Sequence, residues 1–212
     1  MIKMEYLTFA LAKGRLSEKT LELFEKIGIC FDDMKEKSRK LIFTNEEYKI
    51  KIFLSKSSDV PTYVESGTAD IGIVGKDTIL EENRNLYELL DLKLGKCKMI
   101  VAGKEEALKI LDNNDLRVAT KYPNIAKDYF FKQKHQTVEI IKLNGSVELA
   151  PIVGLSDVIV DIVETGNTLI ANGLMPLADI CPLSARVVAN RVSMKTEHKR
   201  IMDIIDKLRE VI

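Results

Sequence analysis

Histidine and cysteine are scarce in this sequence, and tryptophan is absent. The 212 residues include two histidines and three cysteines. A Ser-His-Asp triad or a histidine zinc site has almost nothing to be built from, and we expect His135 and His198, which lie among charged residues, to be solvated. Cys30, Cys97 and Cys181 are widely separated, odd in number and lack a C-x-x-C spacing, which is typical of thiols in a reducing cytosol.

Net charge and long apolar runs are missing too. Lys plus Arg and Asp plus Glu both number 32, so no net field favours nucleic acid, and no basic tract is present. No apolar run approaches the ~18 residues of a membrane-spanning helix, and the amino-terminal stretch lacks the apolar segment of a signal peptide. We therefore expect a cytoplasmic protein that binds neither nucleic acid nor membrane. A hydrophobic content of 46% suffices for one large or two small domains.

The stretch 158–169, V-I-V-D-I-V-E-T-G-N-T-L, predicts a buried parallel strand that ends in a turn and opens a helix. Asp161 interrupts the β-branched run, where a carboxylate is costly unless it is paired or lies near a ligand. Glu164 follows at the end of the strand. Gly166 allows close backbone approach to an anion. Its neighbours offer hydroxyl, amide and N–H donors, and they are Thr165, Asn167 and Thr168.

A phosphate-binding turn beside two carboxylates indicates a ligand that carries a phosphate together with hydroxyl groups or a metal ion that the carboxylates can contact. A ribose 5-phosphate with a Mg²⁺-bound diphosphate meets both demands, because its hydroxyls or the metal can contact the carboxylates. The alternative is an ordinary strand-to-helix turn in which Thr165 or Thr168 is the N-cap.

A second loop of the same kind follows the first strand pattern, at 6–12. Lys13-Gly14-Arg15 precede a helix pattern for which Ser17 can be the cap. Basic side chains on a glycine loop at the carboxyl end of a strand lie where open α/β sheets bind ligands. A solvated turn is the alternative.

Two further helix starts carry polar residues. Ser58 and Asp59 open one helix, with Asp59 as N-cap and Pro61 in the first turn. Lys76 and Asp77 follow a glycine-containing strand pattern and either face a cleft or are ordinary surface charges.

Alternating strand and helix patterns predict an α/β fold of two lobes. We expect lobe I to comprise 1–92 plus 178–212, and lobe II to comprise 93–177. Strand patterns at 39–43 and 49–54 predict an antiparallel hairpin. The last helix has an apolar face formed by Ile201, Ile204, Ile205 and Leu208.

Together these segments resemble the ATP phosphoribosyltransferase family, which starts histidine biosynthesis. The resemblance covers nearly the whole chain and is very specific. It rests on A-L-A-K-G-R-L at 10–16, S-R-K-L-I-F at 38–43, S-D-V-P-T-Y-V-E-S-G-T-A-D-I-G-I-V-G-K-D at 58–77, Y-E-L-L-D-L-K at 87–93, A-T-K-Y at 119–122, G-S-V-E-L-A-P at 145–151 and the stretch 158–169.

The resemblance implies a two-lobed fold similar to the type II periplasmic binding proteins, with the active site in the cleft between the lobes. It implies that N1 of ATP is joined to C1 of 5-phosphoribosyl-1-pyrophosphate, in the presence of Mg²⁺, to give N1-(5-phosphoribosyl)-ATP and pyrophosphate. The end at Ile212 is similar to the short form of the family. Catalytic dimers of that form work with a regulatory subunit resembling histidyl-tRNA synthetase, in a hetero-octamer.

The family pattern also implies roles for individual residues. The catalytic role, stabilisation of the departing pyrophosphate, falls to Arg15 and Arg39. The residues implied for 5-phosphoribosyl-1-pyrophosphate are Glu148, Asp161, Glu164, Thr165, Gly166, Asn167 and Thr168. The acids among them meet the ribose hydroxyls and help to order Mg²⁺, which comes with the substrate and has no certain direct protein ligand. The residues implied for ATP are Lys13, Gly14, Ser58, Asp59, Lys76 and Asp77.

Two other functions compete with this interpretation. A two-lobed small-molecule binding protein without catalysis has the same shape, but the missing export signal argues against it. A nucleobase phosphoribosyltransferase also combines acids with a Thr-Gly turn, but it does not explain K-G-R-L or S-D-V-P-T-Y-V-E.

Overall fold

The computed structural model describes residues 6–31 and 40–212. The chain divides into two compact units: unit 1 is Met1–Gly95 with Ser184–Ile212, and unit 2 is Lys96–Leu183. The chain therefore passes between the units after Gly95 and again after Leu183. Each unit contains its own mixed β-sheet.

The described residues form eleven strands and eight α-helices. The strands are β1 (Leu7–Ala12), β2 (Ile42–Asn45), β3 (Ile50–Ser55), β4 (Ile71–Gly75), β5 (Tyr87–Asp91), β6 (Cys97–Gly103), β7 (Leu116–Thr120), β8 (Val138–Lys142), β9 (Val158–Val163), β10 (Met175–Leu183) and β11 (Ala185–Ala189). The α-helices are α1 (Arg15–Lys26), α2 (Val60–Glu65), α3 (Lys76–Glu82), α4 (Pro123–Lys127), α5 (Leu149–Ile152), α6 (Asn167–Ala171), α7 (Ser193–Thr196) and α8 (His198–Val211). Two 3-10 helices lie at Ser57–Asp59 and Glu105–Lys109, and a π-helix lies at Asp128–Gln133.

The sheet of unit 1 has the order β2-β3-β1-β4-β11-β5. Strands β3, β1 and β4 are parallel, and β2 forms the predicted antiparallel hairpin with β3. Strand β11 is antiparallel to both of its neighbours, so β5 runs in the same direction as β4. Four strands therefore end at one edge of this sheet, which we call the carboxyl edge of unit 1.

Apolar side chains cover both faces of that sheet. On one face Phe9 packs edge-on against Phe24 of α1, with ring centroids 5.3 Å apart, and the predicted apolar face of α8 joins the same cluster. On the other face Val60 and Val64 of α2 pack against Val188. Burial on both faces explains why the parallel strands are continuous apolar runs rather than alternating ones.

The sheet of unit 2 has the order β10-β6-β9-β7-β8. Strands β9, β7 and β8 are parallel, whereas β6 is antiparallel to β9 and to β10. The first half of β9 is fully buried, as its sequence predicts. Strand β10 pairs with β6 from Met175 to Leu183, so residues 178–183, expected in lobe I, lie in unit 2. The three parallel strands end at the carboxyl edge of unit 2.

One predicted helix start is wrong. Helix α1 begins at Arg15 with Gly14 as its N-cap, and Ser17 lies inside the helix, where its hydroxyl donates to the carbonyl of Gly14 at 2.8 Å. Asp59 does occupy the predicted N-cap position of α2. Among residues 6–31 and 40–212, no helix combines the length and the apolar character that a membrane crossing requires.

Candidate functional site

The carboxyl edge of unit 1 brings together loops that are far apart in the sequence. Ala12 at the end of β1 is paired with Ser55 at the end of β3, and Leu11 is paired with Ile73 of β4. The residues that follow these strands are Lys13, Gly14 and Arg15 after β1, Ser58 and Asp59 after β3, and Lys76 and Asp77 after β4. Every residue predicted to contact ATP therefore lies at this edge, together with Arg15.

The loop after β1 depends on glycine. Gly14 has φ 105° and ψ −156°, a conformation that is essentially restricted to glycine. A Cβ added there meets no heavy atom within 4 Å, so the backbone conformation, and not crowding, requires glycine. The N–H of Lys13 donates to the carbonyl of Ser55 at 2.9 Å and ties the loop to β3. Arg15 is exposed at the first position of the 12-residue helix α1, where the backbone N–H groups and the guanidinium both favour an anion.

The start of α3 is more crowded. A Cβ added at Gly75 would collide with Oδ1 of Asp77, because the Asp77 carboxylate folds over the backbone of Gly75. The Nζ atom of Lys76 is 2.5 Å from Oε2 of Glu88 on β5. Ser58, in the neighbouring loop, is exposed and donates to Oδ1 of Asp59 at 3.1 Å. Four of the predicted ATP residues thus already have polar partners within unit 1, and they are Ser58, Asp59, Lys76 and Asp77.

A polar network that the sequence did not predict lies at the same edge. Asp91, at the end of β5, accepts hydrogen bonds from the backbone N–H of Lys93 at 2.8 Å and the hydroxyl of Ser184 at 2.7 Å, and its Oδ2 is 2.7 Å from Nη1 of Arg186. Burial raises the pKa of the Asp91 carboxyl, but these three partners outweigh burial and leave the pKa below its usual value. Asp91 is therefore held as a carboxylate.

The carboxyl edge of unit 2 carries the residues predicted for the ribosyl phosphate. Glu148 precedes α5, Asp161 lies in β9, and the segment 164–168 covers the turn after β9 and the first two residues of α6. The neighbouring turn after β7 is set by Thr120, whose buried hydroxyl donates to the carbonyl of Val160 at 2.6 Å and accepts from the N–H of Tyr122 at 2.8 Å. This turn presents Lys121, which the sequence analysis gave no role.

Asp161 has an unusual electrostatic environment. Burial raises the pKa of its carboxyl, and the negative charge of Glu148 raises it further, while the N–H of Ile162 and the charge of Lys121 oppose the shift. The sequence-based expectation that this carboxylate is costly without a partner is therefore supported. A ligand that donates hydrogen bonds to Asp161 relieves part of that cost.

Gly166, and not a threonine, is the N-cap of α6. Its φ is 79°, in the left-handed region that glycine adopts readily. The alternative in which Thr165 or Thr168 caps the helix is wrong in that respect. The side chains of Glu164, Thr165, Asn167 and Thr168 are exposed. They are thus accessible to a ligand, as a phosphate-binding turn requires.

Arg39, predicted to share the catalytic role with Arg15, lies outside the described residues. Within 6–31 and 40–212, no group of three or more His, Cys, Asp and Glu is arranged to hold a metal ion. His135 and His198 are exposed, as expected.

Comparison with known proteins gives consistent results. The family model described as ATP phosphoribosyltransferase matches residues 56–210. The chain is 69% identical to an ATP phosphoribosyltransferase of Lachnoclostridium phytofermentans, over 99% of this chain and 98% of that protein. It is 66% identical to one of Lachnospira eligens, over 99% of this chain and 98% of the relative.

A solved structure is also similar. It is described as the ATP phosphoribosyl transferase (HisG:HisZ) complex from Thermotoga maritima. The likeness has a TM-score of 0.82 at 38% sequence identity and covers 97% of this chain and 98% of that chain. It confirms the predicted α/β fold of the type II periplasmic-binding-protein class.

Proposed function

The chain belongs to the ATP phosphoribosyltransferase family, and we propose that unit 1 binds ATP while unit 2 binds 5-phosphoribosyl-1-pyrophosphate. The chain joins N1 of ATP to C1 of the sugar phosphate, giving N1-(5-phosphoribosyl)-ATP and pyrophosphate in the first step of histidine biosynthesis. Membership of this family rules out both alternatives, the non-catalytic binding protein and the nucleobase phosphoribosyltransferase. The observation that carries the assignment of substrates to units is that each predicted residue set gathers at the carboxyl edge of one sheet.

The segment 164–168 is proposed to hold the 5-phosphate through backbone N–H groups and exposed hydroxyls. Asp161 and Glu164 accept hydrogen bonds from the ribose hydroxyls, and Glu148 faces the sugar. Positive charge grows on the ribose ring as the bond from C1 to pyrophosphate breaks, so these carboxylates stabilise the transition state more than the substrate. The raised pKa of Asp161 supports this role, because its carboxylate lacks sufficient partners until the hydroxyls arrive.

Arg15 is proposed to stabilise the departing pyrophosphate. Its guanidinium and the N-terminal N–H groups of α1 both favour the negative charge that develops on the leaving group. Arg39 is predicted to share this task. Adenine N1 already carries an available lone pair, so no general base is needed, and the scarcity of histidine is no obstacle.

Mg²⁺ is proposed to enter with the diphosphate. Asp161, Glu164 and Glu148 offer the oxygen donors that this ion prefers, and the carboxylates fit an ion carried by the substrate rather than a cage made by the protein. Bound Mg²⁺ neutralises charge on the leaving group. The location of the reaction between the two lobes stays a prediction.

The chain is further proposed to act as the short form, in the cytoplasm, with a regulatory partner. The similar structure is a HisG:HisZ complex, and the present chain covers 98% of its matched chain. We therefore infer homodimers of catalytic chains in a hetero-octamer with a subunit resembling histidyl-tRNA synthetase. Light scattering of the chain, alone and mixed with such a subunit, tests this assembly.

Two glycines with the same backbone conformation test the assignment of unit 2. Gly166 and Gly154 both have φ 79°, and an added Cβ is not crowded at either, with its nearest contact 3.9 Å away at Gly166 and nothing within 4 Å at Gly154. We expect Gly166→Ala and Gly154→Ala to cost similar stability, about 1–2 kcal/mol. Only Gly166→Ala should raise the KM for 5-phosphoribosyl-1-pyrophosphate, measured from the ultraviolet absorbance of the adduct, with the KM for ATP unchanged. Equal KM values of the two variants for 5-phosphoribosyl-1-pyrophosphate would show that the segment 164–168 does not bind this substrate.

A further inference from the structure

Glu88 on β5 stands between two cations. Its Oε2 atom is 2.5 Å from Nζ of Lys76, which is a close ion pair. Its Oε1 atom is 3.4 Å from Nε of Arg186, which is too long for a good hydrogen bond. The carboxylate is thus committed to Lys76 while it lies beside a second donor.

That second donor is unsatisfied. The Nε atom of Arg186 is buried and has no hydrogen-bond acceptor within the described part of the chain. A buried N–H group without an acceptor carries a desolvation cost, and a charged group carries more. Glu88 carries the carboxylate beside that atom, but while its Oε2 atom is held by Nζ of Lys76, its Oε1 atom stays 3.4 Å from Nε.

The guanidinium is unable to move toward Glu88 without losing a stronger partner. Nη1 of Arg186 is 2.7 Å from Oδ2 of Asp91, and Asp91 is itself fixed by the N–H of Lys93 and the hydroxyl of Ser184. The backbone of Lys76 is also fixed, because its N–H donates to the carbonyl of Ser184 at 2.9 Å. The side chains of Lys76 and Glu88 are the parts that can rearrange.

We propose that Glu88 is a positioning residue for ATP. When Lys76 binds a phosphate of ATP, the carboxylate of Glu88 leaves Lys76 and accepts a hydrogen bond from Nε of Arg186. The proposal rests on the proposed role of Lys76 in ATP binding. The ammonium group of Lys76 turns toward the phosphate. The Glu88 carboxylate then accepts a hydrogen bond from the buried Nε–H of Arg186. ATP therefore binds without leaving a carboxylate unpaired.

A purely structural ion pair does not account for these contacts. The side chains of Lys76 and Glu88 are 25% and 33% exposed, and a pair this exposed contributes little to stability. It also leaves the buried Nε of Arg186 without an acceptor, whereas the exchange satisfies that atom in the ATP complex.

Arg186→Lys is the first test, because lysine retains the charge opposite Asp91 but has no Nε–H. Glu88 then has no new partner when it leaves Lys76. We expect the KM for ATP to rise about tenfold, with kcat and the KM for 5-phosphoribosyl-1-pyrophosphate unchanged. In the Glu88→Gln, Arg186→Lys double variant no carboxylate is stranded, so the KM for ATP should return to within about twofold of that of Glu88→Gln.

Arg117→Lys is the matched control. Arg117 of unit 2 also binds a carboxylate, Asp157, through Nε at 3.3 Å and Nη2 at 2.7 Å. We expect this variant to lower Tm without a change in either KM. If Arg186→Lys behaves in the same way, or raises the KM for ATP equally with Glu88 and with Gln at position 88, the proposal is overturned.

Lys76→Met distinguishes the proposed role of Lys76 in ATP binding from the proposed exchange of Glu88 between Lys76 and Arg186. A raised KM for ATP in Lys76→Met, with no effect of Arg186→Lys, overturns the exchange and leaves Lys76 in the ATP site. An unchanged KM for ATP in Lys76→Met overturns both the role of Lys76 and the exchange. A raised KM in both single variants, reversed by Glu88→Gln only in the Arg186→Lys background, supports the proposal.

Discussion

Replacing Gly14 with alanine tests how the first loop presents Arg15. Its backbone, at φ 105° and ψ −156°, lies in a region that is essentially closed to residues with a Cβ, and occupying it costs on the order of 1–3 kcal/mol. No neighbour crowds the added methyl group, so the whole cost is conformational. The loop either keeps its shape and loses that stability, or relaxes and displaces the start of α1.

Gly28, at the other end of α1, is the matched control, because its φ of 83° also favours glycine. We expect Gly28→Ala to cost about 1–2 kcal/mol in urea-induced unfolding and to leave both KM values unchanged. Gly14→Ala should cost a similar amount or less, because relaxation of the loop recovers part of the strain, and should raise the KM for ATP or lower kcat. A Gly14→Ala variant with wild-type stability and wild-type kinetics would refute the reasoning from backbone conformation. If Gly14→Ala loses stability but keeps wild-type kinetics, the loop after β1 does not contribute to ATP binding or catalysis.

Three further variants have expected outcomes. Arg15→Ala should lower kcat about 10²–10³-fold with Tm nearly unchanged, because its side chain is exposed and its proposed partner is the leaving group; an equal fall in Tm would contradict this role. Asp161→Asn should abolish turnover yet raise Tm at neutral pH. The folded-state pKa of the Asp161 carboxyl lies above 3.8, so the wild-type protein loses stability as pH rises from 3.8 through that pKa. A lower Tm for Asp161→Asn at neutral pH would contradict the assignment. Asp157→Asn should lower Tm at neutral pH, because the hydrogen bond from Arg117 holds the pKa of Asp157 below 3.8. That contribution is present above 3.8 and is lost as pH falls through the folded pKa, so the difference in Tm from wild type should shrink there.

Local patterns were sufficient to predict most strands and the loops that follow them. The run at 158–163 predicts a buried strand because both of its faces are covered, and glycine at 166 predicts the turn because its backbone is left-handed. Ser17 was a wrong helix cap because the start of α1 depends on the conformation of Gly14, which a preference for hydroxyl side chains does not reveal.

The boundary between the units depends on pairing over long distances. Strands β10 and β11 are separated by Ser184 alone, yet β10 pairs with β6 of unit 2 and β11 pairs with β4 and β5 of unit 1. Two adjacent extended segments look alike in sequence, because strand periodicity reports which face is buried and not which strand lies alongside. Residues 178–183 were therefore expected in the wrong lobe.

The network around Glu88 escaped the sequence analysis for the same reason. Glu88, Asp91 and Arg186 each look like a polar residue on the outer face of a strand, and Arg186 is far from the other two in sequence. Only the antiparallel register of β5 with β11, which sets Arg186 opposite Asp91, turns them into one cluster. Because β5 runs in the same direction as β4, that cluster lies at the carboxyl edge of unit 1, beside Lys76. Charged residues that satisfy one another at such an edge can respond to a charged ligand there, so the motif at 87–93 bears on substrate binding as well as on folding.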